Sequence, residues 1–359
     1  MKKIFCCIYI CALCLHGMAQ EEQEKKSPFT VSAYGEVYYV YDFNKPSNNS
    51  RPAFVYSHNR VGEVNVNLAF IKAAYNTERS RATIAIGAGS YMNENYTAEP
   101  GVLKNIYEAN IGVKLLKNIN LWLDAGVMPS HIGFESAVGK DNWTVTRSMA
   151  ADNSPYFETG ARISYASKNE QWYFAVLYLN GWQRIQRVAG SYTPSMGAQI
   201  MFKPSEKLTL NYSNFAGSDQ PDSIRCMRYF HNLYGIFQLN KKIGITAGFD
   251  YGMEQVQKGS SSYNTWYAPV LIARYTPDAV NSFTARGEYY RDKNNVIIAA
   301  NSGFETFGWS LNYDRHLGNN ITGRIEVRSL QGKDRYFIKY DNTGTRNNTF
   351  VTAAVTFHW

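Results

Sequence analysis

The chain ends on Phe350-Val-Thr-Ala-Ala-Val-Thr-Phe-His-Trp359. Counting back in steps of two, Trp359, Phe357, Val355, Ala353 and Val351 are apolar, and His358, Thr356 and Thr352 stand between them. Successive side chains of a strand point to opposite faces, so this stretch is a strand with one greasy and one mostly polar face. It closes on its own aromatic residue. Many soluble strands end on Phe or Trp, so the meaning of this one depends on the rest of the chain.

The same alternation recurs upstream. A second strand sets Val64, Val66, Leu68 and Phe70 on one face against Glu63, Asn65 and Asn67 on the other. Late in the chain Phe307, Trp309, Leu311 and Tyr313 oppose Ser310, Asn312 and Asp314. Short turns rich in Asn, Gly, Pro and Asp, such as Lys117-Asn118, Thr276-Pro-Asp-Ala279 and Leu317-Gly-Asn-Asn320, reverse the chain tightly. Longer polar loops fall near 44–59, 95–104, 129–154, 183–195, 218–227, 256–263, 292–304 and 332–347. Long and short connections alternate, and together they separate about sixteen strands. An even number places both termini on the short-turn side. The fold expected is all-β: a transmembrane antiparallel β-barrel, porin-like, with the long loops outside. Closure is required because lipid offers no partner to a free sheet edge. A soluble sandwich lacks this loop rhythm, and no repeat of 40–50 residues suggests a propeller. Aromatic residues near strand ends, among them Tyr38, Tyr39, Tyr41, Tyr289, Tyr290, Tyr336 and Phe337, fit girdles at the two water–lipid interfaces.

The other end agrees. Lys2 and Lys3 precede an apolar stretch, Ile4 to Leu15, and Gly17-Met18-Ala19 supplies small residues. Residues 1–20 therefore read as a cleaved signal peptide that takes the chain through the inner membrane, 21–27 as a charged periplasmic tail and 28–359 as the barrel in the outer membrane. Four of the five cysteines lie in the signal, which leaves Cys226 and no disulfide framework. Mean hydropathy is −0.37, a value that would suggest a soluble protein. A barrel hides its apolar residues at every second position, so the average misses it. Formal charge is +8, or +6 once Lys2 and Lys3 are removed. No basic run supports nucleic-acid binding. A strand that closes on a terminal aromatic resembles the last strand of bacterial outer-membrane barrels. That resemblance implies that Phe357 and Trp359 form the signal read by the barrel-assembly machinery, with outer-membrane lipid as the other partner.

The longest connection is Pro129-Ser-His-Ile-Gly-Phe-Glu-Ser-Ala-Val-Gly-Lys-Asp-Asn-Trp-Thr-Val-Thr-Arg-Ser-Met-Ala-Ala-Asp-Asn-Ser154. Loops this long are functional or disordered. This one carries Phe134, Trp143 and Met149, enough apolar surface to pack on something. The third loop of a sixteen-stranded barrel commonly folds inward, so the loop reads as a constriction bearing His131, Glu135, Lys140, Asp141, Trp143, Arg147 and Asp152. Within it, Met128-Pro-Ser-His-Ile-Gly-Phe-Glu-Ser, Gly139-Lys-Asp-Asn-Trp-Thr and Asn153-Ser-Pro-Tyr-Phe-Glu-Thr-Gly160 resemble the OmpL-like outer-membrane porins common in Bacteroidota. The resemblance implies a channel for small hydrophilic solutes, monomeric or a homotrimer, and carries no catalytic motif.

Inward positions suggest how such a channel could select. Alternation points Glu36, Glu63, Glu108, Asp124 and Glu158 into the lumen from the first half of the barrel. It points Arg274, Arg286, Arg324 and Arg328 inward from the second half. Opposed walls of that kind would set a transverse field across the pore. Local pairing, for example Arg286 with Glu326 or Arg324 with Glu288, is the competing arrangement. No GxSxG, HExxH or phosphate loop is present, so no enzyme, cofactor or metal is expected. Two other functions remain open: a barrel that only anchors surface-binding or adhesive loops, and a sugar-specific channel with Tyr34, Tyr38, Trp122 and Trp143 as an aromatic track.

Overall fold

The computed structural model describes residues 27–300 and 302–359. The expected signal peptide and nearly all of the tail lie outside the described residues. The strands are β1 Phe29–Asp42, β2 Val64–Asn76, β3 Ser80–Ala88, β4 Ile106–Lys114, β5 Leu121–Pro129, β6 Phe157–Ala166, β7 Trp172–Leu179 and β8 Ser195–Ser205. They continue as β9 Leu208–Gly217, β10 Arg228–Gln238, β11 Ile243–Gln255, β12 Tyr263–Tyr275, β13 Asn281–Asp292, β14 Phe304–His316, β15 Ile321–Gly332 and β16 Asn347–His358. Each pairs with its sequence neighbours in one closed antiparallel barrel. A small two-stranded ladder, Phe337–Ile338 with Gly344–Thr345, sits in the last loop.

The seam is made by the stretch that opened the reading. Val37 stands opposite Val355 and Glu36 opposite Thr356. Trp359 and Ala33 exchange both backbone hydrogen bonds at 3.0 Å. Closure thus leaves the first and last strands no free edge, as a lipid surround demands. Phe357 and Trp359 point outward, and Trp359 is 69 % exposed. Phe307, Trp309 and Leu311 also face out, while Ser310, Asn312 and Asp314 are buried inside.

Alternation fails within β2. Glu36 pairs with Leu68 but Val37 pairs with Val66, so Asn67 is an extra residue, a β-bulge. Beyond it the faces exchange. Leu68 is fully buried on the lumen side, Phe70 packs against Tyr34 and Tyr107 there, and Ile71 faces lipid. The aromatic pairs also divide. Tyr39 and Tyr41 face out as girdle residues, but Tyr38, Tyr290 and Phe337 are buried inside.

The lumen is packed rather than open at mid-height. Each of the sixteen strands buries at least one side chain on its inner face, from Glu36, Leu68 and Glu158 round to Ser213, Glu326 and Thr352. Long loops supply what covers them, three in particular, with Ile298 and Phe337 added from the last two. Loop 1 (43–63) brings Phe54, Val55 and Val61, and loop 3 (130–156) brings Val145 and Met149. All five enter a cluster with Tyr38, Phe215, Trp266, Phe304 and Phe350 of the wall. Loop 2 (89–105), which opens with helix α1 Ser90–Asn95, adds Tyr91, Met92 and Tyr96 to a second cluster with Tyr34, Leu68 and Phe157. Tyr96 stacks on Phe157 at 4.0 Å.

The lipid face gives a direct test. Leu311 is 55 % exposed there. Replacing it with Arg should lower the unfolding free energy by about 2–4 kcal/mol if the site lies near the midplane. Urea titration in lipid vesicles measures this, and a loss no greater than that of Leu311→Ala would mean the residue does not face hydrocarbon.

Candidate functional site

Loop 3 crosses the lumen and is pinned by its backbone to the charged wall of β13–β15. Arg286 donates from Nη1 to Thr144 Oγ1 at 2.9 Å and to the Thr146 carbonyl at 2.7 Å. Arg324 donates to the carbonyls of Gly139 at 2.6 Å and Asn142 at 2.9 Å. Arg328 donates to the carbonyl of Arg147 at 2.8 Å. The acids take the matching N–H groups: Glu326 accepts from Thr146 at 2.6 Å and Glu288 from Met149 at 2.7 Å. Asn312 accepts from Val145 at 3.0 Å. The wall is internally paired as well, Arg286 with Glu326 at 3.0 Å, Arg328 with Glu288 at 2.7 Å and Arg324 with Asp314 at 2.8 Å. Of the two pairs named from sequence, the first forms; Arg324 takes Asp314 instead of Glu288.

The loop is braced from within by Arg147. Its guanidinium is fully buried and donates to the carbonyls of Ser136, Val145 and Ala137 at 2.6–2.9 Å. These bonds fold the loop into a compact coil whose last turn is helix α2, Met149–Asp152, capped by the Ser148 side chain. Glu135 accepts from the Ser148 amide and hydroxyl, and burial pushes its carboxyl above the usual range. His131 bonds Glu158 through Nδ1 and the Asn214 carbonyl through Nε2 at 2.8 Å. Burial opposes its charge, but Glu158 outweighs that and raises its pKa. Asp152 is pushed up to about 7 by burial, against the pull of Arg328, Arg147 and Arg51. Glycines make room for these side chains. A Cβ at Gly197 would lie 2.7 Å from His131 Nε2, and one at Gly244 would lie 2.8 Å from the Trp143 ring.

The predicted loop residues therefore separate into two groups. His131, Glu135, Arg147 and Asp152 are buried in the fold of the loop, whereas Lys140 and Asp141 are exposed and pair with each other at 2.7 Å. Trp143 lies under the guanidinium of Arg274, 4.4 Å from its ring centre. The acidic positions are likewise partnered. Glu36 meets His58 at 3.2 Å, Glu108 meets Lys72 at 2.6 Å, and Asp124 holds Arg81. Glu63 lies at the loop 1 end of β2, part-exposed, with Arg60 at 2.8 Å. In place of two bare walls facing across a pore, most of these charges have partners close by, on neighbouring strands or, for Glu36 and Glu158, on the inward loops. Nor do the track residues Tyr34 and Tyr38 line an open path, since both are buried.

Two features escaped the sequence reading. Loop 1 enters the lumen, carrying Arg51, Phe54 and His58; the run Pro52-Ala-Phe-Val-Tyr56 inside a polar loop was its available signal. Beside loop 3, toward the short-turn side, lies a cavity of about 370 Å³ lined by Lys72, Glu108, Phe70, Tyr107, Glu135 and Tyr156 among others.

Removing the clamp should free the loop. In Arg286→Ala/Arg328→Ala, Glu288 and Glu326 lose their cations, a change that costs roughly 3–5 kcal/mol per buried pair. Limited trypsin digestion should then cut after Arg147, which is fully buried in the intact protein. Resistance at that bond in the double variant would show that the ladder does not hold the loop.

No curated protein matches the sequence. Among solved structures, the chain is similar to the anion-selective porin from Comamonas acidovorans, with a TM-score of 0.60 at 10 % identity over 92 % of this chain and 99 % of that one. It is similar to OmpF of Salmonella typhi, with a TM-score of 0.60 at 8 % identity over 92 % and 97 %. The trimer form of OmpT from Vibrio cholerae gives 0.58 at 8 % identity over 92 % and 99 %. At these identities the likeness shows the fold. A family model described as "Putative beta-barrel porin-2, OmpL-like" matches residues 28–358. The chain belongs to that family, as an outer-membrane diffusion channel of the porin class.

Proposed function

We propose that the protein is a passive channel for small hydrophilic solutes or ions, narrowed by loop 3 where the β13–β15 ladder holds it. The observation that carries this reading is the clamp itself: seven backbone groups of one loop taken up by buried wall charges and Asn312, which fixes a crossing segment in place. The cavity beside the loop is the vestibule from the short-turn side, and the pair Lys72–Glu108 is its charged wall. The terminal residues Phe357 and Trp359 serve recognition by the assembly machinery, residues 1–20 act as the export signal, and a homotrimer in the membrane is the assembly that the trimer form of Vibrio cholerae OmpT suggests. Pairing of the wall charges argues for a lumen of modest net field, with selectivity set locally at the vestibule rather than by a global dipole.

Planar-bilayer recording with a salt gradient tests this. The refolded protein should give discrete current steps. Glu108→Gln leaves Lys72 unpaired and should move the reversal potential toward anions; Lys72→Gln should move it toward cations. Equal potentials in both variants would remove the vestibule from the permeation path. A folded barrel that never conducts would favour an anchor for surface-binding loops.

A further inference from the structure

We propose that loop 1 is the movable gate of this channel and that Arg51 sets how firmly it closes, while loop 3 is the fixed part. The inference rests on the channel reading above. Both loops fill the lumen, but they are held there in opposite ways. In loop 3 the backbone is taken up by the wall: each ladder arginine makes at least three hydrogen bonds, to the loop or to a carboxylate beside it. The loop groups left without a hydrogen-bond partner among the described residues, Asp152 Oδ1, Asn153 Oδ1 and the Tyr156 hydroxyl, include no guanidinium. In loop 1 the contacts are mainly apolar. Phe54 packs on Phe304 at 4.7 Å between ring centres and, further off, on Phe337.

The polar groups of loop 1 are poorly served. Arg51 is 5 % exposed, and its guanidinium lies 3.4 Å from the centre of the Phe350 ring. Among the described residues none of its three nitrogens has a hydrogen-bond partner. Burial pulls its pKa down to about 9, although Asp42 and Asp152 act the other way. The Ser57 hydroxyl and the Asn59 side-chain oxygen are also buried without partners. A guanidinium carries five donors that water would satisfy, so a buried and unpaired one favours any state in which the loop lifts and the group is hydrated. Loop 1 therefore sits in a well made shallow by its own charge, and the clamped loop 3 does not.

The chain around the tip turns at residues of left-handed conformation. Lys45, Asn49 and Gly62 have positive φ angles of 49°, 52° and 76°, and a Cβ at Gly62 would meet nothing within 4 Å. The hairpin between them is closed on itself by the Arg51 amide bonded to the Asn59 carbonyl at 2.8 Å and the Val61 amide bonded to the Asn49 carbonyl at 2.9 Å. It can leave as a unit, because the bonds that shape it do not reach the wall. To the rest of the barrel the hairpin is tied by Asn153 to the Phe54 carbonyl at 3.1 Å, the His58 amide to Asn67 at 2.9 Å, His58 to Glu36, the Arg60 amide to the Tyr38 hydroxyl at 3.0 Å, the Gly62 amide to the Val40 carbonyl at 2.9 Å and Ser47 to Asn342 at 2.7 Å. None of these engages the Arg51 guanidinium.

The test ties loop 1 to loop 3 in the chain from residue 21 onward, where Cys226 is the one cysteine. In a Cys226→Ser background, Phe54→Cys and Asn153→Cys are bridged by oxidation or a short thiol-reactive linker that dithiothreitol cleaves. Bridged protein in bilayers should carry at least about tenfold less current than the same protein after reduction. Arg51→Met keeps the stem on Phe350 but removes the unpaired donors, so it should lower mean current about fivefold or more in the single variant. Bridged protein that conducts as well as reduced protein, or an Arg51→Met channel as active as the parent, overturns the gate while leaving the channel intact. Silence of the unmodified protein as well would overturn the channel reading, and the gate with it.

Discussion

A ladder of buried guanidinium and carboxylate groups on β13, β14 and β15 is the constraint on which the interior depends. Arg286, Glu288, Arg324, Glu326 and Arg328 are each at most 5 % exposed. Removing such charges from water costs several kcal/mol per ion, and attraction between the members offsets that only when the remaining donors and acceptors are also met. Here the loop 3 backbone meets many of them. The wall needs the loop as much as the loop needs the wall, which explains how a coil with one short helix is held at fixed depth across the barrel.

That reciprocity changes how the charges should be understood. On paper, acids in one half and arginines in the other suggest a field. In the folded chain the acids hold cations of their own, Glu108 with Lys72 and Asp124 with Arg81, and the arginines hold acids and carbonyls. A charge whose partner is within about 3 Å contributes little at the distance of a passing solute. Local exceptions then matter most. Lys72 is part-exposed at the vestibule, and Arg51 is buried over the Phe350 ring with no hydrogen-bond partner among the described residues. Each marks a place where the interior is not fully compensated, one facing solute and one facing a loop.

Much of the fold was legible because it is local. A period of two, tight-turn residues and the alternation of long and short connections specify strands, their number and the side on which both ends lie. The bulge at Asn67 was not legible, since one extra residue leaves the composition of the strand unchanged while exchanging its faces. The girdle assignment failed for Tyr38, Tyr290 and Phe337 for a related reason. Sequence shows that an aromatic residue is near a strand end, but whether lipid or a loop covers it depends on the other side of the wall. For the site, the length and apolar content of loop 3 identified the right segment. Loop 1 was passed over because its apolar run is short.

The sequence by itself determined a sixteen-stranded barrel and singled out its longest loop, because strands, turns and loop lengths follow from spacing along neighbouring residues. That this loop crosses the lumen was only an expectation drawn from similar barrels. Only the tertiary structure decided what the inward charges do. The Thr146 amide meets Glu326 across 180 positions of chain, and Arg51 reaches its place over Phe350 from the opposite end of the sequence. No periodicity records such a meeting. It exists because closing the barrel brings its first and last strands together, so that loops from the first half of the chain lie on the wall built by the second.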